Sequence, residues 1–260
     1  MTGDPLYFVN KFQVGSEQQY KLLRINADGP TTHWRGFAIW NIITEVFNVI
    51  FLYFYLSEVL CAEKADVAFL MDASESMTED DFEKQKSFVT KVAESFHMAP
   101  KTTQFALVTY SSSAKLHTRF RDHLNQDTFN KVVKQLPFAA GGTRFDKALK
   151  LAADDVFTTE SGARAGVPKV MIILTDGRQS QDYDAIPLQQ AVLPLHQMSV
   201  QIHAVAIGSQ VNRVELRKLV RNEEDIFSIK DFNTLVNKSR QLASKTCNII
   251  TRPPPGTYGY

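Results

Sequence analysis

Five oxygen-bearing side chains have the types and spacing to share one task. Asp72, Ser74 and Ser76 lie in the run Asp72-Ala73-Ser74-Glu75-Ser76, Thr143 follows Gly141-Gly142, and Asp176 sits in Thr175-Asp176-Gly177. Two carboxylates and three hydroxyls, with no His or Cys among them, form a hard ligand set that suits Mg²⁺, Mn²⁺ or Ca²⁺ rather than zinc. The alternation of Asp72, Ser74 and Ser76 lets one tight loop aim three oxygens at a point. The two glycines let the backbone fold close enough for Thr143 to reach in. A cation held by only two carboxylates stays electrophilic and accepts a carboxylate from another molecule. Taken singly, the same residues have plainer uses: Ser74 and Ser76 as helix caps, Asp176-Gly177 as a turn.

The elements that must position these groups alternate along the chain. Asp66–Asp72, Gln104–Tyr110, Lys169–Thr175 and Gln201–Ile207 are short apolar runs, each readable as a strand buried on both faces. Ala114–Phe120 follows the Ser111–Ser113 turn as a further strand, and Ile226–Ile229 is a short one. Thr78–His97 has helical spacing, with Thr78 and Asp81 supplying capping chemistry. Asn125–Leu136, Arg144–Phe157, Ile186–Met198, Asn212–Arg221 and Phe232–Thr246 also read as helices, with Pro194 marking a kink. This order predicts an α/β fold, a doubly wound and mostly parallel sheet covered by helices, with one antiparallel edge strand after the Ser-rich turn. In such sheets ligands bind beyond the C-terminal strand ends where strand order reverses, and Asp72 and Asp176 both end strands there.

The 260 residues carry a formal net charge of +1, and no Lys/Arg stripe offers a surface for nucleic acid. The six histidines share no ligand spacing. Residues 1–35 are mixed polar sequence without sustained periodicity. An apolar stretch follows over residues 37–60, densest at Val46–Leu56; it suits a signal-peptide core or an uncleaved membrane anchor, with a buried amphipathic helix as the alternative. Lys11, Lys21, Arg24 and Arg35 precede it and Glu58 and Glu63 follow, an asymmetry that sends the C-terminal part out of the cytoplasm. The expected organisation is a leader over 1–62, a domain over 63–247 and a Pro/Gly-rich tail over 248–260. Cys61 and Cys247 flank that domain, so a bridge between them would tie its ends together; two free thiols are the alternative. Asn237-Lys238-Ser239 fits a glycosylation acceptor.

The fragments DVAFLMDASESM, GGTRFDKAL and VMIILTDG together resemble the metal-ion-dependent adhesion site of von Willebrand factor A domains. They look most like the A domains of matrilins, collagens and related extracellular proteins. The resemblance covers about residues 61–247, and no position departs from the pattern. It implies that Asp72, Ser74, Ser76, Thr143 and Asp176 hold a divalent cation in a Rossmann-like A-domain fold. It also implies a secreted adhesion or matrix protein, whose partner is an extracellular matrix or cell-surface protein supplying an acidic residue, collagen among the candidates. The flanking cysteines look like those that close some members of the family. An integrin-like extra helix has no room between Gly177 and Ser199, so integrin-type collagen recognition is not implied.

Other classes of function fit less well. Asp72 ends a strand as phosphoryl-transfer aspartates do, yet such sites carry a second Asp where Ser74 stands. Ser112-Ser113-Ala114-Lys115 matches Ser-x-x-Lys but lies in a turn without its companion motifs, so a metal-dependent hydrolase is disfavoured and no enzyme activity is expected. An intracellular scaffold of the same fold is opposed by the apolar leader and the flanking cysteines.

Overall fold

The computed structural model describes residues 6–14, 17–25, 61–123, 125–208 and 211–251. The chain divides into two units, Met1–Glu58 and Val59–Tyr260. In the first, strands β1 (Leu6–Val14) and β2 (Glu17–Ile25) pair antiparallel, with Leu6 opposite Ile25 and Val14 opposite Glu17. Sequence reading expected no regular element there. The apolar stretch of residues 37–60 and the tail from residue 252 lie outside the described residues. No helix among those described is long and apolar enough to cross a membrane.

In the second unit, β3 (Ala65–Asp72) is buried at every position, as its unbroken apolar run requires of a central parallel strand. Val67, Phe69 and Met71 enter one hydrophobic cluster and Ala68 and Leu70 the other, so the period of two feeds a core on each face. Helix α1 (Glu79–Ala93) starts at a capping box, in which the Thr78 hydroxyl accepts from Asp81 N–H at 3.2 Å and the Asp81 carboxylate accepts from Thr78. Strands β4 (Thr103–Tyr110) and β5 (Ala114–Thr118) flank the Ser111–Ser113 turn, with a register shift at Leu107/Val108. Then come α2 (Gln126–Lys134), α3 (Phe145–Leu151), β6 (Lys169–Thr175), α4 (Leu188–Gln197), β7 (Gln201–Ile207), α5 (Arg213–Leu216), β8 (Ile226–Ile229), α6 (Phe232–Leu235) and α7 (Ser239–Thr251).

The sheet order is β5-β4-β3-β6-β7-β8, parallel throughout except for the β4–β5 pair, as the sequence predicts. The chain leaves β3 for β4 on one side and returns to β6 on the other. The reversal of strand order therefore falls between β3 and β6, where Asp72 and Asp176 stand.

Three helices differ from expectation. Arg144–Phe157 is α3 followed by a π turn over Ala152–Val156, which no spacing pattern announces. Asn212–Arg221 shrinks to the single turn of α5, because its buried Leu216 and Leu219 imitate a helical stripe. The closing helix is interrupted by a 3₁₀ stretch at Val236–Lys238. Pro194 lies inside α4, which continues through it.

Cys61 and Cys247 form a disulfide with Cα atoms 5.9 Å apart. The closed loop spans 186 positions, for which loop-closure entropy gives roughly 5 kcal/mol as a model-dependent ceiling. A Cys61→Ser/Cys247→Ser double variant should therefore unfold at lower denaturant by up to that amount. Identical denaturation midpoints would show that the bridge constrains nothing in the unfolded chain.

Candidate metal centre

Asp72 closes β3 with both carboxylate oxygens engaged. Ser74 N–H donates to Oδ1 at 2.9 Å, and the Thr175 hydroxyl donates to Oδ2 at 3.0 Å. Its backbone carbonyl accepts from Gln85 Nε2 on α1 at 2.9 Å. The turn after Asp72 is fixed by Ala73 N–H on Tyr110 carbonyl at 2.8 Å and by Glu75 N–H on Gly141 carbonyl at 2.9 Å. Ser74 Oγ and Ser76 Oγ then lie 2.9 Å apart, and Ser76 Oγ donates to Asp176 Oδ1 at 2.6 Å. Four of the five predicted ligands thus form one hydrogen-bonded chain across the gap between β3 and β6.

Thr143 reaches the same place from a separate loop. An added Cβ on Gly177 would lie 3.5 Å from both Ser76 Oγ and Thr143 Oγ1, so the two hydroxyls flank one glycine. The Thr143 loop needs its glycines: Gly141 has φ +87°, and a Cβ there would meet Ser112 Oγ at 2.6 Å. The Ser112 hydroxyl instead accepts from Gly142 N–H at 2.9 Å. Ser180 pairs with Thr143 twice, its Oγ accepting Thr143 N–H at 2.9 Å and its N–H donating to the Thr143 carbonyl at 2.8 Å. Arg144, buried just behind, grips Asp146, Asp182 and Asp184 and ties the 178–186 loop to α3.

Asp72, Ser74, Thr143 and Asp176 are buried, while Ser76 and Glu75 are exposed, so the site opens to solvent beside Ser76. Burial, aided by the charge of Asp176, pushes the Asp72 carboxyl up to about 7 against the pull of the Ser74 and Thr175 hydrogen bonds. Burial likewise raises Asp176, against the pull of Ser76. Two desolvated carboxylates that repel each other, ringed by hydroxyls, fit a hard divalent cation. Among the described residues no group of three or more His, Cys, Asp or Glu is placed to hold a metal ion.

Sequence reading placed Thr175 in the Asp176 motif and the Gln179–Asp184 loop, with Ser180, near the site, but assigned no supporting role to Thr175, Gln85, Ser112, Ser180 or Arg144. Thr175 stood beside a predicted ligand and Arg144 beside another. The two serines and Gln85 act only through folding, with no local signal. Asn237 is exposed on the 3₁₀ stretch, and the hydroxyl of Ser239 donates to Val236 carbonyl at 2.8 Å.

Residues 66–241 match the model of the von Willebrand factor type A domain. Matrilin-1 of Gallus gallus is 35% identical over 184 residues, covering 70% of this chain and 36% of that protein. Matrilin-1 of Homo sapiens is 34% identical over 185 residues, with the same coverage of 70% and 36%. This chain thus spans about a third of the length of those relatives. Among solved structures, proximal thread matrix protein 1 from the mussel byssus, with a zinc-occupied MIDAS motif, aligns at TM-score 0.66 and 26% identity, covering 73% of this chain and 47% of that one. A six-stranded sheet of this order, the clustered oxygens at its switch point and these matches lead to one conclusion: the chain belongs to the von Willebrand factor type A domain family.

Proposed function

We propose that this is an extracellular adhesion or matrix protein that binds a partner protein through a divalent cation held by Asp72, Ser74, Ser76, Thr143 and Asp176. The observation that carries the reading is the hydrogen-bonded chain from Asp72 through the Ser74 backbone N–H and the Ser74 and Ser76 hydroxyls to Asp176, with both carboxyls raised by burial. A bound cation supplies an electrophilic position for a carboxylate oxygen of the partner. The chain's own residues do the rest. Asp72 and Asp176 set the charge, the three hydroxyls orient without adding charge, and burial keeps the local dielectric low.

Mg²⁺ or Mn²⁺ is the preferred ion, with Ca²⁺ next; the zinc in the mussel protein's motif makes zinc the competitor to measure. Matrilin kinship and the disulfide favour a secreted chain over an intracellular scaffold, since such bridges persist in oxidising compartments. The stretch of residues 37–60 serves as a signal or anchor in this reading, and Asn237 as a glycan acceptor. The Ser76 and Thr175 hydroxyls that donate to Asp176 and Asp72 serve in this reading to hold the carboxylates for the cation, and the role is binding rather than catalysis.

Capture from extracellular matrix extract, with immobilised collagen as one defined surface, tests the proposal. Adhesion should disappear with chelator while circular dichroism stays unchanged, because the core is built from buried strands. Adhesion that survives chelator in folded protein would move the binding surface elsewhere.

A further inference from the structure

Tyr183 is 104% exposed, so its ring buries no surface in its own domain and adds nothing to the core. Yet the ring stands on a braced support. Its two neighbours, Asp182 and Asp184, both accept from the same nitrogen, Arg144 Nη1, at 3.0 and 2.7 Å. Arg144 is itself buried and held by Asp146 through paired bonds of 2.9 and 2.7 Å. Arg144 Nη2 also reaches the Asp184 carbonyl at 3.2 Å, and Ala185 N–H closes a turn on the Asp182 carbonyl at 3.0 Å. With the residues on both sides drawn inward to one guanidinium, the side chain between them is directed outward.

This turn belongs to the rim of the metal centre. Arg144 directly follows Thr143, and Ser180, on the same loop as Tyr183, makes both of the Thr143 backbone bonds described above. A tyrosine on a braced backbone has only two side-chain torsions to lose on contact, and such residues are enriched among those that dominate binding energies. The chemistry around it selects a cation. Asp182 and Asp184, the sequence neighbours of this electron-rich ring, keep about half their side-chain surface exposed, at 51% and 45%. Arg144 holds the Asp184 carboxyl below the usual range, so it stays ionised. Lys147 Nζ lies 3.8 Å from Asp184, and the full exposure of Tyr183 leaves its ring uncovered.

We infer that Tyr183, braced between Asp182 and Asp184 at the rim of the metal centre, is a specificity-determining residue that receives an arginine or lysine side chain of the partner. The inference rests on the adhesion reading above, in which a nearby carboxylate of the same partner meets the cation.

The test uses the full chain, immobilised in saturating Mn²⁺, and three families of flexible Gly/Ser peptides. One carries a single Glu, one a Glu and an Arg at varied spacing, and one a Gln and an Arg. The unaltered chain should retain the best Glu–Arg peptide roughly fivefold better than the Glu peptide, the gain of a modest cation–π contact. Tyr183→Leu should lose that advantage while keeping Mn²⁺ affinity and retention of the Glu peptide, and Tyr183→Phe should keep the advantage. Equal retention of both Glu-bearing families by the unaltered chain overturns the inference, as does an advantage that survives in Tyr183→Leu. If only the Gln–Arg peptide is retained, and is lost in Tyr183→Leu, the role of Tyr183 stands and the metal-borne carboxylate falls. Retention of no peptide at all overturns the inference.

Discussion

Titrated with Mn²⁺ or Mg²⁺, the Asp72→Ala and Asp176→Ala variants are expected to release no heat of binding where the unaltered chain saturates. Each variant removes half of the anionic charge of the site, and the remaining hydroxyls are neutral ligands already bonded to one another. Thr143→Ala removes one neutral oxygen and should weaken binding by about tenfold rather than abolish it. The same site makes affinity depend on pH. In the metal-free domain the Asp72 carboxyl sits at about 7, so a cation must displace a proton below that pH. Affinity should rise about tenfold per unit as pH climbs toward 7 and then level off, and calorimetry in buffers of different ionisation heat should register the released proton. Stability of the metal-free domain runs the other way. A carboxyl raised in the folded state favours folding most below its unfolded value near 3.8, and that contribution is lost as pH rises through about 7. Added cation should reverse the trend at neutral pH. Equal affinity in the unaltered chain and both alanine variants would remove the metal centre from Asp72 and Asp176.

Arg164→Ala should be the most destabilising single change outside the hydrophobic core. Asp66, at the start of β3, is fully buried, and its carboxylate accepts from Arg164 through Nε at 2.8 Å and the backbone N–H at 2.7 Å, with the charge of Lys169 adding a weaker pull. The same guanidinium holds the carbonyls of Ala65, Thr102 and Pro100 at 2.8, 2.8 and 3.2 Å, closing the N-terminal edge of β3 and β4. Truncation leaves the buried carboxylate with the residue-164 backbone N–H and the charge of Lys169, and strands three acceptors, an expected loss of ~3 kcal/mol. In a domain of this size that is roughly a 10 °C fall in Tm. Burial already holds the Asp66 carboxyl above its ordinary value despite Arg164. In the variant it rises further, so the deficit should shrink toward acid pH, where the carboxyl is neutral in folded and unfolded chains alike. Asp66→Asn, which removes the charge instead of its partner, should lose less. A Tm unchanged by Arg164→Ala would show that water reaches Asp66.

What could be read in advance follows from the range of each interaction. The central strands were legible because a strand buried on both faces is apolar through its middle, as Val67–Met71 of β3, Phe105–Val108 of β4 and Val170–Leu174 of β6 are. The Asp72 loop and Asp176 were legible because each sits immediately after such a strand. The Ser180 and Ser112 hydroxyls that fix Thr143 were not, since they lie 37 and about 30 positions from the loop they hold and only folding brings them together. Arg144 was passed over for a similar reason: Asp182 and Asp184 lie 38 and 40 positions away. The β1–β2 hairpin was missed because its polar positions mask alternation. The Gly15-Ser16 pair between two strand-length runs was the available signal.

The disulfide has a further consequence for a chain under tension. Cys61 lies four positions before β3 begins, at the N-terminal edge of the sheet, and Cys247 is bonded to it. The seven steps of β3 from Ala65 separate that edge from Asp72 by about 23 Å. Cys61 and Cys247 therefore lie at one pole of the domain and the candidate metal centre at the other. A pull applied through the flanking segments passes from Cys61 to Cys247 across a covalent bond and bypasses the strands between them. Such a domain would hang from a loaded fibre without being stretched by it, its binding edge undistorted, until a reductant opened the bridge and let the same pull unzip the sheet.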